Sequence, residues 1–408
     1  KNPLPIFSSK HCVAFKKIEF RGVVTFSYQI SFQFHFIPFV VYVQKKPRYY
    51  NIYRRLYSRI DAMSSVKTDI KLKEARQKLK SLTAKYSHVL KENEKLQKLL
   101  EVKKGVEAVE PTKIEIPKYK TGELIVPWLI ASDWHIEEKV EADTVNFMNE
   151  YSPDIAERRA KMFFSKGLQY VELFEQGYNC DKIGLGLLGD FISGYIHQEL
   201  EENNYLSPTE AILKLKDFIY GGIDFLLENS KKNLEIVCCF GNHGRTGHKI
   251  RVSTGYKNNF EWMFYQGLKE YYKSNKRVRV HVNNGYMIIL DCIGTKIRFH
   301  HGDGMKYGGG VGGITIPVNK KIAKWNDGPN KADLDVFGHF HTLFDGGRFI
   351  CNGSLIGMSP YAIRIGASFE PPRQAFFVIH EKFGKIASLQ IPVEQPTDSY
   401  IANLLSKS

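Results

Sequence analysis

Five times in this 408-residue chain a short apolar run stops abruptly on a cluster of Asp, His, Asn and Gly. The runs are LIVPWLIASDWH (124–135), KIGLGLLGD (182–190), LEIVCCFGNHGR (234–245), TKIRFHHGDG (295–304) and DLDVFGHFH (333–341). Short runs rich in β-branched and aromatic residues, bounded by such clusters, read as buried strands. Long helical segments, 153–176 and 208–230, separate the first three. Strand, helix, strand predicts an α/β sheet, and ligands of such sheets gather at the carboxyl ends of the strands. The five clusters are therefore expected to meet in one place.

The chemistry at that place follows from residue types. Asp133, His135, Asp190, Asn242, His301, His339 and His341 form a mixed carboxylate, amide and imidazole set without thiolates. Such a set suits Mn, Fe, Zn and similar borderline ions. Seven groups are too many for one tetrahedral zinc. They fit two adjacent metals sharing a carboxylate, which can activate a water and neutralise phosphoryl oxygens during in-line displacement. Singly the motifs are weak, because an Asp-x-His after a strand is usually incidental and a lone His is more often a hydrogen-bonded core or surface residue. The weight lies in the ordered set, with each member at the end of an apolar run.

Taken in order, D-x-H, GD, GNH, His-Gly and GHxH resemble the calcineurin-like metallophosphoesterase superfamily over residues 126–345. The resemblance implies a sandwich of two mixed β-sheets flanked by helices. It also implies that Asp133, His135, Asp190 and His341 hold one metal, that Asp190, Asn242, His301 and His339 hold the other, and that Asp190 bridges them. His339 and His341 flank Phe340, so each can face a different ion. His243 would face the substrate and protonate the leaving oxygen or stabilise the phosphorane. His301 is preferred to His300 because the superfamily's ligand directly precedes glycine; His300 is expected to pack inward, with Asp303 behind the ligands.

Two departures bear on the substrate. Protein serine/threonine phosphatases of the superfamily carry an arginine-bearing VDRG after GD, where this chain reads GDFISGYIH, and GNHE where it reads GNHGR. A carboxylate normally fixes the tautomer of such a histidine, and Gly244 supplies none. Arg245 is expected to compensate by contacting a phosphate; a surface ion pair is the plainer reading. Five glycines within Gly308–Gly313 suggest a substrate lid or a plain connector and lack the lysine spacing of a P-loop. This loop, GNHGR and CNGSLIG (351–357) together resemble phage or prophage members related to DNA-repair exonucleases.

Charge is unevenly spread. Of the net +15, residues 1–62 carry +9 and residues 63–104 carry +7, leaving −1 for the rest. The main body therefore lacks the footprint of a dedicated DNA-binding domain. Six cysteines in neither CxxC pairs nor a disulfide framework point to a reducing, cytoplasmic setting. Residues 23–43 hold no formal charge, but apolar and polar residues alternate from Val24 to Phe36, which suits a strand and argues against a membrane span. Residues 1–62 are expected to be upstream or non-native sequence, with the natural start near Met63. Within 63–104, Leu72, Ala75, Leu79, Leu82, Tyr86, Val89, Asn93, Leu96 and Leu100 follow +3/+4 spacing, a coiled coil with one polar a position. It predicts a homodimer, or else a helix folded on its own domain. Residues 105–122 read as a linker, 123–396 as the catalytic domain and 397–408 as a tail.

The expected activity is a dinuclear phosphodiesterase acting on DNA as an exo- or endonuclease, with Mn first among its ions and Fe, Zn or Ni as alternatives. A phosphatase or phosphodiesterase acting on nucleotides, small molecules or phosphoproteins is the competing enzyme. A non-catalytic scaffold is disfavoured, because every ligand and His243 are retained.

Overall fold

The computed structural model describes residues 16–20, 23–28, 39–41, 66–107, 113–114, 122–306 and 313–394. The remainder of 1–62, the glycines at 308–312 and the tail at 397–408 lie outside the described residues. The chain divides into two units, Lys1–Ile114 and Glu115–Ser408.

In the first unit, β1 (Lys16–Phe20), β2 (Val23–Tyr28) and β3 (Phe39–Val41) form an antiparallel sheet with β2 central. β2 lies within the stretch whose two-residue period predicts a strand. Helix α1 (Val66–Glu107) covers the whole +3/+4 stretch and runs three residues past position 104. Along it Leu82, Tyr86, Leu96 and Leu100 are exposed. No helix among the described residues is long and apolar enough to cross a membrane.

The second unit opens with β4 (Leu124–Ala131), α2 (Pro153–Glu175), β5 (Asn179–Cys180) and β6 (Lys182–Leu187). There follow α3 (Gln198–Asn203), α4 (Pro208–Asn229), β7 (Asn233–Cys238), α5 (Phe260–Tyr272) and β8 (Val278–Val282). The rest comprises β9 (Met287–Cys292), β10 (Thr295–His300), α6 (Thr315–Asn326), β11 (Leu334–Phe337), β12 (Phe344–Asp345) and β13 (Phe349–Cys351), then α7 (Pro360–Arg364), β14 (Arg373–His380) and β15 (Gly384–Pro392). The long helices start where local chemistry directs. Ser152 and Ser207 cap α2 and α4 ahead of a proline, and Ser207 completes a capping box with Glu210.

One sheet runs β15–β14–β4–β6–β7–β8, with β5 beside β4; β4, β6, β7 and β8 are parallel and β14 is antiparallel to β4. The other runs β12–β13–β11–β10–β9, with β13, β11 and β10 parallel. The five apolar runs therefore become strands of two mixed sheets. β4, β6 and β7 belong to the first; β10 and β11 belong to the second.

Residue alternation makes this a sandwich. Ile125, Leu129 and Ala131 of β4 join the core against α2 and α4, while Val126, Trp128 and Ile130 meet Phe299, Val336 and Ile350 of the second sheet. Each such large apolar side chain contributes about 1.5–3 kcal/mol on burial. The glycines in KIGLGL serve the same interface: a Cβ at Gly184 would come within 2.1 Å of the Trp128 ring. Beyond the second sheet, Val318 and Ile322 of α6 cover Phe337 and Phe349. Helices thus flank two face-to-face sheets, the architecture that the sequence resemblance implies.

Candidate metal centre

Each predicted ligand follows a strand end, and the backbone turns sharply there. Asp133, His135, Asp190, His339 and His341 all have left-handed backbones, with φ of 57°, 48°, 53°, 70° and 50°. Such conformations cost about 1–3 kcal/mol each outside glycine and gather where the surroundings demand a particular aim. Here they let loops from both sheets point inward.

Two trios result. Donor atoms of Asp133, His135 and His341 lie within 4.8 Å of one another, as do those of Asp190, His301 and His339. In the first trio, His135 Nε2 faces His341 Nε2 at 3.3 Å, and His341 Nε2 lies 3.5 Å from Asp133 Oδ1. In the second, His301 Nε2 is 2.8 Å from Asp190 Oδ2. The buried Oδ1 of Asn242 has no hydrogen-bond partner. Two imidazole nitrogens face to face and an orphaned amide oxygen call for a shared cation, so the residues present fit divalent ions.

Neighbouring groups select which ring nitrogens face inward. Nδ1 of His301 donates to Leu188 O (2.7 Å), which leaves Nε2 as the inward atom. Behind His135, the Ser193 hydroxyl donates to Glu138 Oε2 (2.7 Å) and therefore accepts from His135 Nδ1 (2.9 Å). Asp133 accepts from the Ser132 hydroxyl (2.5 Å), itself held by Asn352 Nδ2 (2.8 Å), and from the His339 N–H (2.9 Å). Thus the CNGSLIG segment braces the first carboxylate. None of these supports stood out in the sequence. Only the paired acids after D-x-H, Glu137 and Glu138, were a usable signal; Glu137 accepts from the N–H groups of Ser193 and Gly194.

The electrostatics match. Burial opposes ionisation of Asp190, yet His301, His243 and His135 hold its carboxyl well below the usual range. Burial, with His243 and His341 nearby, keeps His135 well below its ordinary value and hence neutral, as a ligand must be. His339 is lowered to about 4, first by burial and then by His301. His301 and His341 are raised against burial by Asp190 and Asp133. Each carboxylate–imidazole pair that shares a proton is one that could share a metal ion instead.

His243 is not part of either trio. Its N–H donates to Asp190 Oδ1 (2.7 Å), and its Nδ1 donates to Ser193 O (3.0 Å), so Nε2 is left for another partner. The ring centroid is 4.8 Å from that of His135. His300 packs inward as expected, stacked on Phe337. Arg245 donates to the carbonyls of Asn242 (2.8 Å), Gly247 (3.1 Å) and His248 (3.2 Å). It therefore braces the loop that carries Asn242 and His243.

The seam between the sheets also explains the glycine of GHFH. A Cβ at Gly338 would lie 2.3 Å from Asp133 Oδ2 and 2.4 Å from Ser132 Oγ. Only glycine lets the β11 loop come this close to the β4 loop.

No known protein family matches the chain, and no curated protein does. Among solved structures, a predicted phosphoesterase from Streptococcus pneumoniae is 12% identical over 65% of this chain and 90% of that one, with a TM-score of 0.28. Vps29 from Entamoeba histolytica, complexed with Zn²⁺, is 14% identical over 42% of this chain and 88% of that one, with a TM-score of 0.21. YfcE, a phosphoesterase from E. coli, is 11% identical over 65% of this chain and 99% of that one, with a TM-score of 0.24.

Proposed function

We propose that the chain is a calcineurin-like, dinuclear metal-dependent phosphoesterase that cleaves phosphodiester bonds, with DNA as its substrate. The observation that carries this reading is the pair of oxygen–nitrogen trios, Asp133/His135/His341 and Asp190/His301/His339, with Asn242 and His243 beside them. Two divalent ions held there, with Mn the first expectation, supply an activated water and charge neutralisation for a phosphoryl group. Asp190 is the shared carboxylate in this reading. The chain's own residues do the remaining work. Ser193 and Leu188 O fix which nitrogens of His135 and His301 face inward, and Ser132 with Asn352 aims Asp133. His243, oriented through Nδ1, presents Nε2 to the leaving oxygen and would deliver a proton there in its doubly protonated form, returning to the neutral Nδ1–H ring.

Charge next to His243 favours a polyanion. From Arg245 to Lys257 the chain carries Arg245, Lys249, Arg251 and Lys257 and no acid, and the last three are exposed. Such a stretch beside the site can follow a phosphate backbone. The competing reading, a phosphatase or phosphodiesterase of nucleotides, small molecules or phosphoproteins, is favoured by the −1 charge beyond residue 104 and by exposed Glu199, Glu201 and Glu202 on α3.

An assay of the full chain with Mn²⁺ separates the two. End-labelled linear duplex DNA, bis-p-nitrophenyl phosphate and p-nitrophenyl phosphate are compared, with His243→Ala as background. The nuclease reading expects DNA and diester cleavage that disappears in the variant, and DNA cleavage that falls steeply with salt. Turnover of the monoester alone would contradict it. A dimer through the exposed α1 stripe, with Asn93 facing Asn93, belongs to the same proposal. Light scattering should give twice the 46.9 kDa chain mass, and a monomer that persists at high concentration would rule the dimer out.

A further inference from the structure

Gly244 follows His243 and leaves the loop without an acid of its own, but the space beside it is filled. A Cβ built at Gly244 would come within 2.8 Å of Glu261 Cγ and 3.0 Å of Glu261 Cδ. Glu261 arrives from the first turn of α5, seventeen residues downstream, and is fully buried. One of its oxygens accepts from the N–H groups of Phe191 (2.6 Å) and Ile192 (3.4 Å); the other accepts from Gly241 N–H (2.7 Å). A single carboxylate therefore ties the loop just after Asp190 to the loop just before Asn242. Asn259, the N-cap of α5, reinforces the tie: its Nδ2 donates to Gly241 O (2.9 Å), and its Oδ1 accepts from the Glu261 and Trp262 N–H groups.

The two loops have little room to shift. A Cβ at Gly241 would fall 2.1 Å from Asp190 Oδ1, the same oxygen that accepts from His243 N–H. A carboxylate so close to Asp190, buried and without a cationic partner of its own, is costly unless its backbone bonds matter. Its three N–H donors all belong to segments that carry ligands. An apolar side chain of similar volume would fill the space but leave those three N–H groups without an acceptor.

We infer that Glu261 is a positioning residue that fills, from α5, the space an acid directly after His243 would enter: it sets the spacing of Asp190 and Asn242, and with it the site of the second ion. A glutamate built at 244 would bring its carboxyl carbon, about 2.5 Å from its Cβ, close to the position of the Glu261 carboxyl carbon at 3.0 Å; the shorter aspartate would not. The two positions should therefore be interchangeable but not additive.

This inference rests on the proposed dinuclear reading, and the test separates the two. The full chain, stripped of metal with a chelator, is titrated with Mn²⁺ by calorimetry alongside E261Q, E261A, G244E and the double variant G244E/E261A; each is also melted. The native chain should bind two Mn²⁺. E261Q, which turns an amide N–H₂ toward a backbone N–H, should stay folded with a modestly lowered melting midpoint and bind one of the two ions at least about tenfold more weakly. E261A and G244E should each weaken the same ion. The double variant should recover to within about threefold of the native chain, a rescue that general loss of core packing would not produce. If E261A fails to fold and the double variant folds and binds both ions, the interchange is equally demonstrated. Native-like binding of both ions by E261Q, or a double variant no better than E261A, overturns the role of Glu261 alone. A native chain that binds fewer than two ions overturns the dinuclear reading, and this role with it.

Discussion

The two sheets contribute unlike halves to the candidate site. The loops of β4, β6 and β7 supply both carboxylates, Asp133 and Asp190, together with His135, Asn242 and His243. The loops of β10 and β11 supply imidazoles only: His301, His339 and His341. The first half is braced by polar side chains, Ser132, Glu138, Ser193 and Glu261. The second is held mainly across the seam, with His301 donating to Leu188 O and the His339 N–H donating to Asp133. Neither trio exists within one sheet. The site is therefore a product of sheet-on-sheet packing as much as of its motifs, and disturbing the seam should damage it as surely as removing a ligand.

The largest effect should come from Asp190→Ala, which removes the carboxylate that meets His301 and the His243 loop. Both ions should be lost by elemental analysis, and turnover should fall by about 1,000-fold or more. Gly338→Ala tests the seam without replacing a candidate ligand. The added methyl would strike Asp133 Oδ2, so the melting curve should report a loss of about 1–3 kcal/mol, with weakened metal binding at the first trio. If Gly338→Ala instead left binding unchanged, the two halves would be more independent than the contacts imply.

Ser193→Ala sharpens the comparison further, because it removes a brace from the first half alone. Affinity at the Asp133/His135/His341 trio should fall by about 10- to 100-fold while the other trio keeps its ion, as two-site calorimetry can show. The smallest effect is a control in the first sheet at a distance from the ligands. Burial would raise the pKa of Glu235, yet hydrogen bonds from His281 and Lys182 hold it at about 2. A carboxyl depressed in the folded state adds stability that is complete above its unfolded value of 4.5 and disappears as pH falls through about 2. Glu235→Gln should thus lower stability by about 1–2 kcal/mol at neutral pH, with the gap closing in acid and metal content unaltered.

Much of this was legible beforehand, for a physical reason. A strand that ends on a ligand carries its chemistry in consecutive residues, so Asp133, His135, Asp190, Asn242, His301, His339 and His341 could be read from local pattern. The +3/+4 spacing likewise marked α1, and the long segments 153–176 and 208–230 were read as helices. The residues that aim the ligands were not legible, because they arrive from elsewhere in the chain. Glu261 is separated from Gly244 by a loop and a helix cap, Ser193 follows its motif without a signature, and Asn352 sits in CNGSLIG, a segment noted only for its resemblance to phage or prophage members. Periodicity could not divide the five strands between two sheets either, since a strand buried on both faces looks the same in each. The type and place of Arg245 suggested a phosphate contact, and nothing in the sequence pointed to the three loop carbonyls to which it donates.

The central claim is that two ions sit at the seam, one in each trio, with Asp190 shared between them. Anomalous diffraction from crystals of the full chain grown with Mn²⁺ tests it most directly. The account predicts two anomalous peaks, one ringed by Asp133, His135 and His341 and the other by Asp190, Asn242, His301 and His339, with the Asp190 carboxylate between them. A single peak, or none within reach of these side chains, would contradict it.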